Sequence, residues 1–333
     1  MSGPSAAMQA LHQALDEGAR FDAEYAGGLS NHGPMALCAL HRLGADAAAL
    51  QAFGRLYSRR LVPAPAAQRW PAGDAWAARL GDATAWPIYR DLFAQWLHHE
   101  DAGDVLRAVL PRLMAGVGAA AFHGVIRTAH AVQAAHLQAL ADGLAYWACR
   151  WLDLGPLGAG VGAGREHDAA AVLRQLPVPR RPPPGDLIFQ QMQAVATPPR
   201  FVAGVARLRV TDQTLETLAR GAAYLYARSG NFTLLHLLTS AHAVRVLLPW
   251  LEDPLPAVQR YWQAFAAAWA ASGAQDLGPP RLRPWPDIVA FALASPDDHV
   301  IKLVDSCREQ ERAHGGGVWR QAASRVLMPR PVA

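Results

Sequence analysis

Of the 31 lysines and arginines in this chain, one is a lysine, Lys302. It follows a histidine by three residues, in Asp297-Asp298-His299-Val300-Ile301-Lys302. Arginine stays charged in a protein, whereas a buried lysine can shed its proton and act as a nucleophile. The neutral amine can form a Schiff base, or take up CO2 as a carbamate, an anionic oxygen ligand for a metal. His299 and Lys302, at i and i+3, share a helix face, so both could point at one ion. Drift of composition toward Ala, Arg and Gly also leaves few lysines. Position alone does not decide between the two readings.

Histidines carry the rest of the chemistry, and there are 13 of them. His12, His41, His98, His99, His136, His167 and His314 lie among polar or charged residues or in loops, and read as ordinary. His32, His123, His130, His236, His242 and His299 sit in apolar stretches. One such histidine is ordinarily a satisfied core residue. Six of them, on four segments, all need polar partners if buried, and a shared metal satisfies several at once. Spacing sorts them. His123 and His130, at i and i+7, share a face. His236 and His242, at i and i+6, point about 120° apart, so one straight helix cannot aim both at one ion. Thr239 shares the face of His236. Arg127 follows His123 by four residues and could meet a phenolate, a carboxylate or an acidic neighbour. The spacing nominates His32, His123, His236, His299 and Lys302, with His130 as a deeper group. The rank of His130 against His242 stays open.

The elements that must position these residues read as helices. Amphipathic, Ala-rich stretches cover 5–17, 33–43, 46–58, 87–98, 102–115, 117–150, 201–228, 231–251, 255–271 and 287–313. Convincing period-2 alternation is absent. The expected fold is all-α, a large helical domain of ten or more helices. Gly155 to Gly164 and the proline-rich run Leu176 to Gly185 interrupt it. Residues 152–186 therefore read as a connection between an N-terminal lobe, 1–151, and a C-terminal lobe, 187–333, with a metal site between them. Two helix starts are marked, by Ser30-Asn31 before Gly33-Pro34 and by Ser295-Pro296-Asp297-Asp298.

Composition excludes several classes. Hydrophobic residues make up 52% and charged ones 17% of 333 residues, which suits a large core. No run reaches 18 apolar residues without a charge or breaker, so no membrane span is expected. Cys38, Cys149 and Cys307 lack the spacing of a disulfide framework or thiolate zinc site, and a reduced, cytoplasmic setting fits. A net charge of +4, with Arg59-Arg60 and Arg180-Arg181 as short basic pairs, is no nucleic-acid footprint. Gly158-Ala159-Gly160-Val161-Gly162-Ala163 nominally matches a dinucleotide-binding loop, but helix precedes it where a strand is required. Trp147, Trp151, Tyr224, Tyr226, Trp250, Tyr261 and Trp262 read as core packing or as the lining of a pocket for a flat substrate.

Four segments together carry a family likeness. Asn31-His32-Gly33-Pro34-Met35-Ala36-Leu37, Phe122-His123-Gly124-Val125-Ile126-Arg127, Phe232-Thr233-Leu234-Leu235-His236-Leu237-Leu238-Thr239 and Asp298-His299-Val300-Ile301-Lys302, in that order, resemble the questin oxidase-like family. The resemblance implies an all-helical oxygenase that uses O2 on polycyclic aromatic substrates, with oxidative ring cleavage of an anthraquinone as the namesake reaction. It also implies a mononuclear iron held by four histidines and a carboxylated lysine. The matching positions are His32, His123, His236, His299 and Lys302. His130 and His242 fall outside the matching motifs and are expected to support the ligands from behind, with Asp298 orienting a ligand histidine. Arg127 and Thr239 are the candidate catalytic residues, Arg127 to stabilise developing oxyanion charge.

The donor set suits Fe(II), Mn(II), Co(II) or Zn(II), and a redox role favours Fe(II). Five protein ligands leave one octahedral position for O2 or water. NADPH enters only as an external reductant, because no binding motif for it is seen. Two other readings use the same residues: a zinc hydrolase activating water, and a non-catalytic helical protein that binds a small molecule.

Overall fold

Short polar side chains open six of the helices. Ser5, Asp46, Asp101, Asp168, Asn231 and Asp297 each accept from a backbone N–H in the turn that follows. Those donors have no partner inside the helix. The computed structural model describes residues 5–71, 75–158, 164–179 and 183–328. Within them lie sixteen α-helices, and the one sheet among the described residues is the antiparallel pair Glu24–Tyr25 and Leu29–Ser30. The fold is all-α. Residues 159–163 of the nominal dinucleotide loop, and the pair Arg180-Arg181, lie outside the described residues.

In chain order the first helices are α1 Ala6–Gly18, α2 Gly33–Leu43, α3 Ala47–Ser58, α4 Trp86–His99, α5 Ala102–Leu113, α6 His123–Ala134 and α7 Leu137–Cys149. The connection holds a short helix, α8 Ala169–Gln175. Then come α9 Ile188–Ala196, α10 Pro199–Val205, α11 Thr214–Ser229, α12 Phe232–Leu247, α13 Leu255–Ala271, α14 Trp285–Ala294, α15 Asp298–His314 and α16 Val318–Ser324. Three stretches read as continuous are broken. The 117–150 stretch splits into α6 and α7 after an irregular start. The 201–228 stretch breaks where Arg207 and Arg209 pair by their backbones with Glu166. The 287–313 stretch breaks at Ser295-Pro296, since proline disfavours helix in the residue before it.

Four helices form the centre. α2 packs on α6, α6 on α12, α12 on α15, and α15 back on α2. Two of these precede the connection and two follow it. Seven others lie against this ring: α1 and α3 against α2, α7 against α6, α11 and α13 against α12, and α14 and α16 against α15. The apolar run from Phe232 to Trp250, which contains α12, is long and apolar enough to cross a membrane by length and composition. Its most apolar window is 72% buried inside the protein, as for a core helix.

α6 and α7 approach closely because each offers a glycine to the other. A Cβ on Gly124 would lie 2.8 Å from Trp147, and one on Gly143 would lie 2.9 Å from the backbone of Thr128. Bulk at either position would push the helices apart and move His123, the first residue of α6.

Candidate metal centre

His123 emerges from a left-handed turn. Ala120, Ala121 and Phe122 have φ of 46°, 56° and 70°. None is glycine, and the left-handed region costs roughly 1–2 kcal/mol per residue for L-amino acids. The turn aims the Ala120 carbonyl at the His123 ring, whose Nδ1 lies 2.5 Å from it. Strain of this kind persists only where the surroundings hold it, and it gathers at functional sites. Here Phe122 is buried and its ring packs on Tyr261.

The other three histidines arrive from the remaining central helices. His32 is the cap residue of α2 but its side chain makes no capping bond. The Asn31 side chain instead accepts from Gly33 N–H, and the His32 N–H donates to Tyr57 Oη at 2.9 Å. His236 lies one turn into α12 and His299 is the second residue of α15. The rings of His32 and His123 stack with centroids 4.5 Å apart, and His32 and His299 meet edge-on at 4.5 Å. His236 is 4.9 Å from His123 and 5.6 Å from His299 by ring centroids. His32, His123 and His299 each bring a ring nitrogen to within 4.8 Å of the others, and His236 borders that trio.

The partner on each Nδ1 sets the tautomer. A carbonyl or an ionised carboxylate can only accept, so the ring nitrogen facing it must carry the proton. His123 faces the Ala120 carbonyl, and His236 faces the Phe232 carbonyl at 2.8 Å. His32 and His299 both face Asp298 Oδ1, at 2.5 Å and 3.0 Å. In its neutral form each of the four rings therefore keeps a lone pair on Nε2. The Nε2 atoms of His123 and His299 are buried without a hydrogen-bond partner, a chemistry that fits a metal ion as their shared partner.

Electrostatics agree with neutral imidazoles at His32, His123 and His236. Burial, then the Lys302 charge, lowers the His32 pKa to about 3. Burial and neighbouring imidazoles push His123 and His236 well below their ordinary value. Burial alone would raise the Asp298 carboxyl. Hydrogen bonds from His299 and His32, with Lys302 nearby, outweigh burial and hold Asp298 well below the usual carboxylate range. Lys302 is 2% exposed, and burial lowers its pKa to about 8 against the opposing pull of Asp298. The nearest Asp298 oxygen is 3.9 Å from Nζ, outside hydrogen-bond distance.

A second polar layer lies further along the same four helices. Arg42, on α2, binds Asp305 of α15 through two nitrogens, at 3.1 and 2.5 Å. Its Nη2 also donates to His130 Nδ1 at 2.6 Å. His242 Nδ1 meets Ser306 Oγ at 3.1 Å, and the His130 and His242 rings stand 6.3 Å apart. Seven residues of helix separate His130 from His123 by about 10 Å along the axis, so a shared face does not mean a shared ion.

The two candidate catalytic residues each have a partner of their own. Arg127 is buried beside Asp142 of α7, with Nη2 3.4 Å from the carboxylate and its guanidinium over Trp86 and Tyr146. The Thr239 hydroxyl donates to carbonyls of its own helix, at Leu235 and His236. Of the aromatic residues nominated for a pocket, Trp147, Tyr261 and Trp262 are buried and donate to backbone carbonyls. Three groups around the cluster were not nominated. Tyr57 holds the His32 backbone, Arg60 lies near Asp298, and Phe232 lies over His236 and His299. Phe232 directly follows the cap residue of α12, and that adjacency to His236 was the available signal. Nothing local marked Tyr57 or Arg60.

A cavity of about 660 Å³ between the 153–158 segment, α9 and α10 touches none of these histidines. One of about 210 Å³, lined by Asn31, Gly33 and Tyr57 among others, backs onto the His32 segment. A family model described as questin oxidase-like matches residues 29–307, a span that takes in all four histidines and Lys302. No curated protein matches the chain.

Proposed function

The chain belongs to the questin oxidase-like family, a name that points to an oxidase, and on that premise we propose a metal-dependent oxygenase. It would use O2 to oxidise or cleave a polycyclic aromatic or quinone-type substrate. The metal would be iron, held by His32, His123, His236, His299 and a carboxylated Lys302, with NADPH, where a reductant is needed, acting from solution. The observation that carries this reading is the common tautomer: four imidazoles from four helices, each with Nδ1 committed to an acceptor and Nε2 left as a lone pair.

When bound, Fe(II) supplies the redox chemistry that activates O2. The chain's own residues do the rest. Asp298 holds two rings in place through their Nδ1–H groups and raises their basicity as ligands. The carbonyls of Ala120 and Phe232 do the same for His123 and His236. Burial keeps the Lys302 amine easily deprotonated, so that it can take up CO2 with loss of one proton and provide the single anion among neutral donors. Closely packed apolar helices around the ring keep bulk water from the inner faces of the imidazoles.

Elemental analysis of the purified protein beside Lys302→Ala tests the reading. About one iron per chain, lost in the variant, together with O2 uptake on a hydroxylated anthraquinone, is the expected result. Zinc in place of iron would support the hydrolase. No metal in either protein would overturn the ligand assignment.

A further inference from the structure

Two half-exposed side chains border the corner that Asp298 and His299 share. Phe232 is 52% exposed, and its ring centroid lies 4.8 Å from His299 and 4.7 Å from His236. The Arg60 side chain is 42% exposed, and its Nη1 lies 4.0 Å from Asp298 Oδ2, too far for a hydrogen bond. The His299 side chain is itself 18% exposed, whereas His32, His123 and His236 are buried. The cluster therefore meets solvent at His299, between an aromatic ring and a guanidinium.

Neither group lies in the core. The residue after a helix cap needs no large apolar side chain, and the ring contacts made by Phe232 are to imidazoles rather than to the core. An apolar ring left half in water beside buried polar groups is the usual lining of a small-molecule site. Arg60 differs from the other cations near the central helices. Arg42 is committed to Asp305 and His130, Arg127 is buried against Asp142, and Lys302 sits inside the cluster. The Arg60 guanidinium lies 4.4 Å above the Tyr57 ring, which holds its plane while leaving N–H groups toward water. Tyr57 also accepts from the His32 N–H, so one residue ties this cation to the ligand segment. Asp298 already accepts from two imidazoles, and its long pairing with Arg60 can yield to a stronger acceptor.

We propose that Arg60 and Phe232 form the substrate-recognition rim of the site, and that the substrate is a flat aromatic molecule carrying an anionic oxygen. The inference rests on the oxygenase reading for what happens next, but not for binding. Phe232 stacks on the ring system. Arg60 donates to the phenolate or carboxylate oxygen, as a fork that matches such an acceptor. Together they turn one edge of the substrate toward His299.

Titration calorimetry on the metal-loaded protein, with naphthalene-2-carboxylate and the uncharged naphthalene-2-methanol as probes, tests this. Arg60→Gln should weaken the carboxylate by roughly tenfold or more and leave the alcohol unchanged. Arg60→Lys, which keeps the charge but not the fork, should fall between. Phe232→Ala should weaken both probes. Arg59→Gln, one residue away and also exposed, should affect neither. Equal losses in Arg59→Gln and Arg60→Gln, equal losses of both probes in Arg60→Gln, or no binding of the carboxylate by the wild-type protein would overturn the rim. Iron content and O2 uptake are read separately. A protein without iron that still shows this pattern refutes the oxygenase and keeps the rim, and an iron protein without the pattern does the reverse.

Discussion

The same four helices carry two polar layers, and the two treat their histidines in opposite ways. In the outer layer every Nδ1 faces an acceptor, so every Nε2 is a bare lone pair. In the inner layer a guanidinium, which can only donate, faces His130 Nδ1. His130 must then carry its proton on Nε2, and it cannot ligate a metal through that atom without losing the proton. The inner layer answers its own charges, with Arg42 on Asp305 and Ser306 on His242. The outer layer leaves two buried nitrogens without partners. The residue type is the same in the two layers, and every histidine in them but His299 is buried. The atom opposite Nδ1 separates an imidazole with a lone pair on Nε2 from one that carries its proton there. His242, whose Nε2 is also buried and unpartnered, is the exception that a mutation can use.

The sharpest break between the layers is metal content. His123→Ala or His236→Ala should reduce bound metal from about one per chain to background, while His130→Ala should leave it unchanged. Elemental analysis after gel filtration reads this directly. Metal loss in His130→Ala would erase the distinction.

Stability should respond the other way. Arg42→Ala strands the buried Asp305 carboxylate and should cost roughly 3–5 kcal/mol, seen as a lower denaturation midpoint of the metal-free protein. Metal affinity should not change. Asp298→Asn should do the reverse, weakening metal binding by roughly 10- to 100-fold with a smaller effect on the metal-free fold. Competition with a chelator measures it.

Acid should destabilise the metal-free protein through both layers. Folded His32 takes up its proton near pH 3, against 6.5 ordinarily. Between those values the unfolded chain binds more protons, so stability falls as pH drops through that window. Burial lowers His123, His130, His236 and His242 as well and adds in the same direction. Lys302 adds a separate slope. Its folded pKa is about 8 against 10.5, so stability rises with pH between those values. Lys302→Met should remove that alkaline slope and keep the acid one, in urea titrations across both windows. The smallest effect belongs to His242→Phe. It removes an unpartnered buried nitrogen along with one bond to Ser306, and should change stability by about 1 kcal/mol or less.

The helical class and the segments bearing the site could be read locally. Apolar periodicity marked most of the helices. His32, His123, His130, His236, His242 and His299 stood out because each sits in an apolar stretch, and spacing then set His32, His123, His236 and His299 apart. The breaks at Ala120 to Phe122 and at 206–213 were not legible. The first is a left-handed turn of non-glycine residues, and the second is imposed by backbone pairing with a distant residue. Arg127 shows the limit of spacing. Four residues put it near the face of His123, but a helix step of 100° leaves 40° of offset. A long side chain follows that offset toward Asp142 on the neighbouring helix.

By itself, then, the sequence determined which residue types could serve and in which helices they would sit, because periodicity and capping are local. Tertiary structure decided which nitrogen of each ring is free, since carbonyls, a carboxylate or an arginine brought up by folding set the tautomer. It also decided that two layers would form rather than one, because about 10 Å of helix rise between His123 and His130 cannot be closed by any side chain of that length.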